Sequence, residues 1–458
     1  MTLRLRSGQA LLVVVAALAS SGNVNNETHE MHESVSWFSW PSWLCLNSEK
    51  QPAPAPQTQT IAIAGARVLP VSGPPIERGT VVIRDGKIVG IGANVPVPDG
   101  ARVIDAKGKV VTPGFLDSAT QIGIVEIGLS AEGTDDQATT DSRLSAAFDV
   151  TDAFNGNSTV IPVTRVEGIT RAVVMPAGTG DVLLGQGAVF DLSGEQVPGS
   201  VHKRAAAMYA LLGEGGAAVA GGSRATAMLR LREAVQDAID FAANRQAFNA
   251  GERRPYARGR LDLEALQPVL RGDVPLAITA HRASDLLAAM RLADEFKLRL
   301  ILLGAAEGWM VADEIAKRKV PVIVKPLYNA PNFDTLGATL ENAARLSKAG
   351  VTVAFATFEA HNSRLLRQEA GNAIAYGFDR AAALEAVTLA PARVWGVADR
   401  YGSLELGKDA DVVIWSGDPF ELTTGPEHVF IRGQEMPKDT RQRRLLERYK
   451  DVRTMPRR

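Results

Sequence analysis

The sequence predicts an α/β protein, a (β/α)8 barrel of the TIM type carrying a small composite β-sandwich built from both ends of the chain. Three observations predict it. Short apolar runs in the middle of the chain, PLAITAH (275–281), LRLILLG (298–304), VPVIVK (320–325) and VTVAFAT (351–357), alternate with helical segments. Few polar residues interrupt these runs, as expected of strands buried on both faces of a parallel sheet. Stretches rich in β-formers and turn residues, at 61–111 and 402–419, flank the middle on both sides.

Each element follows in chain order. Residues 1–19 place Arg4 and Arg6 ahead of an apolar run from 10 to 19 that ends in Ala17-Leu18-Ala19. A basic start, a short apolar run and small residues two apart read as a secretory signal peptide. The run is shorter than the ~20 apolar residues that span a bilayer. The protein is therefore expected to be exported, periplasmic or secreted. Residues 20–60 read as a linker, ending in the Pro/Gln-rich QPAPAPQTQT (51–60), which favours extended chain. Ahead of it, SVSWFSWPSWL (34–44) holds three of the six tryptophans and reads as an irregular segment.

The first part of the β-sandwich is assigned to 61–111, where Asp85-Gly86 between two apolar runs is a two-residue hairpin turn. The barrel is assigned to 112–397, which has room for eight β/α units. Within it, 213–222 (GEGGAAVAGG) reads as a flexible loop without a dinucleotide fingerprint. Residues 223–250 read as one long helix. Ser284 caps a helix whose apolar face is Leu286, Met290, Ala293 and Phe296. Residues 307–317 and 341–348 are helical. Residues 398–437 complete the sandwich, and 438–458 form a basic helix or tail.

Composition narrows the function. The chain has 458 residues, 46% hydrophobic and 22% charged, with a net charge of −1. Such a balance offers no positive field for nucleic acid. Cys45 is the sole cysteine, so neither an intramolecular disulfide nor a Cys-based zinc site is available.

In barrels of this kind chemistry sits where strands end at their C-terminal side. The residues there are Ser118, Thr120 and Gln121; Thr279 and His281; Gly304, followed by Glu307; Lys325; and Thr357, Phe358, Glu359, His361 and Asn362. Acid/base candidates are His281, Glu359 and Glu307, although Glu307 also suits the start of a helix, where negative charge is favoured. Two histidines and a carboxylate, His281, His361 and Glu359, offer an alternative mononuclear site for one divalent metal such as zinc. His29 and His32 lie in the linker and His428 in the terminal β segment. No Gly-x-Ser-x-Gly motif accompanies a Ser-His-Asp set.

Several stretches carry a family resemblance: VTPGFLD (111–117), LLGQGAVFDLSG (183–194), ITAHRASD (278–285), TLAPARVWG (388–396) and GSLELGKDADVVIW (402–415). With them the chain, from about 61 to 449, resembles the amidohydrolase superfamily in its imidazolonepropionase-like, periplasmic-type branch. The resemblance implies a barrel plus a β-sandwich and hydrolysis of non-peptide C–N bonds by a metal-activated water. It also implies ligand positions, and here this sequence departs. The family's His-x-His pair falls at Ala119 and Gln121, its strand-five His at Thr279, its strand-six His at Gly304 and its strand-eight Asp at Phe358. A bridging lysine falls at Asp191 and an Asn before Pro-Ala at Ala390. Ala119, Gly304 and Phe358 offer no side-chain donor, and a divalent metal needs three or four.

The sequence thus carries two readings. In one, the protein is a degenerate amidohydrolase with no metal expected, a binding protein or the partner of an active paralogue. In the other, it is a hydrolase with an altered mononuclear-metal or metal-free acid/base site. Both expect a small-molecule ligand in the barrel mouth. The expected assembly is a homo-oligomer or a hetero-oligomer with an active amidohydrolase paralogue, and no nucleic acid is expected.

Overall fold

The computed structural model describes residues 59–450 apart from Ala131, Thr179, Asn329 and Ala330. The expected signal peptide, the Trp-rich segment, all but the end of the expected linker and the last eight residues of the basic tail lie outside the described residues.

The chain first lays down β1 (Ile61–Val68), β2 (Ile76–Arg84), β3 (Lys87–Gly92), β4 (Arg102–Asp105) and β5 (Val110–Pro113). Asp85 and Gly86 turn β2 into β3 with φ of 51° and 74°, the paired positive values that a type I′ hairpin requires. Eight barrel strands follow: β6 (Phe115–Thr120), β7 (Ile169–Val174), β8 (Leu183–Asp191), β9 (Val201–Leu211), β10 (Leu276–Ala280), β11 (Leu300–Gly304), β12 (Val322–Val324) and β13 (Val353–Phe355). The chain then returns to the first sheet with β14 (Val412–Trp415), β15 (Pro426–Ile431) and β16 (Gln434–Glu435). That sheet runs β16-β15-β14-β5-β1-β2-β3, with β4 paired to β1. Both chain ends therefore build it, as the flanking β patterns predict.

The barrel strands lie in sequence order from β6 to β13. Seven run the same way. β8 runs against both neighbours, β7 and β9, which corrects the expectation of an all-parallel sheet. Its apolar run is as continuous as the others, because burial on both faces, not strand direction, sets that pattern.

Alternate residues of each strand serve two cores. Leu116, Tyr209, Ala277, Leu303, Ile323 and Ala354 pack inside the barrel. Met208, Ile278, Leu302, Val322 and Phe355 pack outward with the helices. Tyr209 is fully buried inside, and its hydroxyl has no hydrogen-bond partner.

The last seam, between β13 and β6, is closed by few backbone bonds. The Phe358 amide donates to the Ala119 carbonyl at 2.8 Å. Side chains add more: the Thr120 hydroxyl donates to the Glu359 carbonyl at 2.6 Å, beside the Asp117 carboxylate. That carboxylate accepts from the Thr357 amide at 3.1 Å, the Ala119 amide at 3.3 Å and the Thr357 hydroxyl. Burial pushes the Asp117 carboxyl up to about 7, against the pull of these bonds.

Three local expectations are corrected. Residues 213–222 contain a helix, Gly213–Val219, which buries Gly213, Gly216 and Ala217, since tertiary packing supplies a surface that local propensity does not. The long helix is two, Arg224–Ala243 and Arg245–Asn249, broken at Asn244. Ser284 lies inside the helix Ala283–Phe296 and does not cap it. The first amide of that helix, at Ala283, instead donates to the Glu307 carboxylate at 3.0 Å.

Candidate functional site

At the C-terminal ends of β10 to β13 the barrel opens into a cavity of about 350 Å³ lined by Thr279, His281, Gly304, Ala306, Lys325, Phe358 and Glu359. Six of the strand-end positions named from the sequence, Thr279, His281, Gly304, Lys325, Phe358 and Glu359, thus meet in one place. The candidate site residues Ala119, Gln121, Glu307 and His361 do not line it.

Each strand end positions its residue for a local reason. Gly304 closes β11 with φ +83°, and a Cβ there would sit 2.5 Å from Cε1 of His281. The imidazole fills the space that glycine leaves open. Nδ1 of His281 is buried without a hydrogen-bond partner, and burial holds the ring below its usual range, opposed by Asp334 and Asp285. Phe358 leaves β13 in the left-handed region, φ 54°, held by its amide bond to Ala119 across the seam.

The charged centre of the cavity is an ion pair. The Lys325 ammonium lies 2.5 Å from Glu359 Oε1, with side chains only 10% and 29% exposed. Asn362 Nδ2 donates to the other carboxylate oxygen at 2.6 Å, so both oxygens of Glu359 are engaged. Lys325 also acts on the neighbouring carboxyls Asp117 and Glu369. Glu369, in the helix Leu366–Ala375, accepts from the Leu327 amide at 2.8 Å, and burial raises its carboxyl to about 7. Lys325 is visible in the sequence only as a strand-end residue. Its pairing with Glu359 joins two strands and has no signature in either one.

The remaining candidates have other partners or other places. Glu307 accepts from the Ala283 and Gly337 amides, at 3.0 and 2.9 Å, one at each oxygen. Its carboxylate opens a helix and ties down a loop. His361 is exposed and lies outside the cavity lining. Ala119 is fully buried in the barrel interior and Gln121 is half-buried beyond it. Asp191 ends the reversed strand β8 and so sits at the opposite end of the barrel, which corrects its alignment with a bridging lysine. There it meets His202 at 2.7 Å, Arg432 at 3.2 Å and Arg171 at 3.7 Å. Although burial opposes it, these partners hold its carboxylate at about 2.

The residues present do not fit a divalent metal. No three His, Cys, Asp or Glu side chains converge on one point among the described residues. The cavity offers one imidazole and one carboxylate, and a lysine cation already neutralises that carboxylate. A second cation brought to the same carboxylate would meet the ammonium in a partly desolvated setting, where like charges repel most strongly.

A barrel of eight strands taken in sequence order, beside a sheet made from both chain ends and with its cavity at the strand ends, is the amidohydrolase architecture. The chain belongs to the amidohydrolase superfamily. Residues 288–436 match the Amidohydrolase family. Amidohydrolase tasK of Hapsidospora irregularis is 24% identical over 392 residues, which cover 78% of this chain and 39% of that protein. An imidazolonepropionase of Staphylococcus aureus (strain Newman) is 47% identical over 47 residues, 10% of this chain and 11% of that one. The chain thus spans well under two thirds of either curated relative. A crystal structure of an amidohydrolase from Thermotoga maritima MSB8 superposes with a TM-score of 0.75 at 28% identity, covering 83% of this chain and all of that one.

Proposed function

We propose that this protein is an amidohydrolase-fold binding protein that does not carry out metal-dependent C–N hydrolysis and that acts alone or as the partner of an active paralogue. The observation that carries this reading is the Lys325–Glu359 pair, an internal cation and its counter-ion in the cavity where the fold otherwise does its chemistry. The substitutions at Ala119, Gln121, Thr279, Gly304 and Phe358 support it, since they leave too few donors for a metal. A neutral or weakly polar small molecule suits the cavity, because its one strong charge pair is internally satisfied and Phe358 and Ala306 supply apolar wall. Export from the cytoplasm is part of this proposal and rests on residues 1–19; cell fractionation tests it.

Elemental mass spectrometry of protein purified without added metal or chelator tests the central point. Less than about a tenth of an equivalent of zinc, manganese, iron or nickel is expected. Close to one equivalent sinks the reading. A second reading, metal-free acid/base hydrolysis, draws on the presence of His281 and Glu359 in one cavity. It requires turnover of a cyclic or acyclic amide that disappears in Glu359→Gln.

A further inference from the structure

The opposite end of the barrel carries a site of a different kind. Two hollows adjoin at the N-terminal ends of β10, β11 and β12. One, of about 430 Å³, has Met290, Leu298 and Val320 among its walls together with Arg299, Arg318 and Lys319. The other, of about 340 Å³, has Val351, Val353 and Phe378. Lys319, Pro321, Arg393 and Val394 line both.

The charges do not balance there. Four cations, Arg299, Arg318, Lys319 and Arg393, face two carboxylates, Asp294 and Glu385. Glu314 and Asp294 both hold Arg318, the latter at 3.0 Å, and Glu385 holds Arg393 at 2.6 Å, so these carboxylates are spent. Among the described residues Arg299 donates only to the backbone carbonyls of Gly272 and Asp273, at 3.0 and 3.5 Å. The Lys319 side chain has no hydrogen bond or ion pair among the described residues. A fifth cation stands close by: Lys203 donates to the Trp395 carbonyl at 2.8 Å. Burial, and after it the charge of Arg299, hold the Lys203 ammonium below the usual lysine range, opposed by Asp399.

The N-terminal face of such barrels ordinarily serves stability. Uncompensated cations gathered at apolar hollows work against stability, because like charges repel more strongly where water is partly excluded. An anion bound between them would remove that cost. The hollows are of the size that takes small ligands, and their walls mix apolar side chains with polar and charged ones. The geometry points to a ligand site at the base of the barrel for an amphipathic carboxylate, its anionic head at Arg299 and Lys319 and its apolar body along Leu298, Val320 and Val394. This site is independent of the cavity at the mouth.

Titration calorimetry of the whole protein with decanoate, at low salt, tests it. Saturable binding is expected, weakened at least about tenfold in Lys319→Asn. Asparagine tolerates the left-handed backbone at this position, φ 55°, so the variant keeps its fold; a matching thermal melt verifies this. A second variant, Val394→Glu, puts a carboxylate into the shared wall and is expected to abolish binding. Inorganic phosphate at equal concentration is expected to compete poorly. No saturable binding overturns the proposal. So does binding that survives Lys319→Asn but is lost in His281→Ala, which assigns the ligand to the mouth. Equal competition by phosphate overturns the amphipathic character and leaves a plain anion site.

Discussion

Asp117 and Gly304 show how much single residues decide here. Asp117 is fully buried and its carboxylate stands in for the backbone bonds that would close the barrel seam. Asp117→Ala strands two amides and a hydroxyl, at a cost of about 3 kcal/mol by denaturant unfolding. Asp117→Asn can keep the oxygen that accepts from both amides and isolates the titration. The folded carboxyls of Asp117 and Glu369 titrate near 7, against about 4 in an unfolded chain. Between these values the folded state binds more protons, so their contribution is full below about pH 4 and is lost as pH rises through 7. The melting temperature of the wild type relative to Asp117→Asn, Glu369→Gln is therefore expected to fall between pH 4.5 and 7.5. A flat difference refutes this.

Gly304 tests the contact with His281. Gly304→Ala meets both a positive φ and the imidazole, and is expected to cost about 2–4 kcal/mol. In a His281→Ala background only the backbone term, about 1–2 kcal/mol, remains. Additive effects in this double-mutant cycle would mean that the ring does not occupy that space. Restoring a histidine at 304 for metal binding meets the same obstacle.

At the scale of elements, the sequence is legible where periodicity and burial agree. The runs PLAITAH, LRLILLG, VPVIVK and VTVAFAT became β10 to β13, because an apolar residue at every position suits strands packed on both faces. The direction of β8 was not legible, since an antiparallel strand between two others carries the same apolar run. The cavity was legible in part. Thr279, His281 and Glu359 could be placed by their strand ends, whereas the Lys325–Glu359 pair depends on two elements that only the fold brings together. Glu307 reads equally as acid or helix opener, and its two backbone partners make it the latter. Glu307→Ala is accordingly expected to lower stability by about 2 kcal/mol while leaving ligand affinity at the mouth within a factor of two. A loss of affinity larger than the loss of stability explains would return Glu307 to the site.

Across the whole molecule, the two sheets are locked by a buried ionic group. Arg171 of β7 donates to Asp411, just before β14, at 2.5 and 3.1 Å, and its guanidinium lies 3.7 Å above the Tyr401 ring. Both charges are almost fully buried. Asp411→Ala leaves Arg171 short of its partner and is expected to cost about 3–5 kcal/mol. Arg171→Met combined with Asp411→Asn is expected to recover at least half of that, since no buried charge is then left alone. Equal losses in the single and double variants would show that the pair adds little beyond packing.

The sheet made from both ends also sets a timetable. Pro113 of β5 finds its partner only at Val412 of β14, so the edge of β5 stays unpaired while the whole barrel is synthesised. At about 5–20 residues per second that wait is on the order of 15–60 seconds. Throughout it the growing chain presents an open strand edge, a template for pairing with other chains. A message truncated before codon 412, or a nick in the C-terminal segment, would leave that edge open for good. The last tenth of the chain therefore governs whether the first quarter stays in solution.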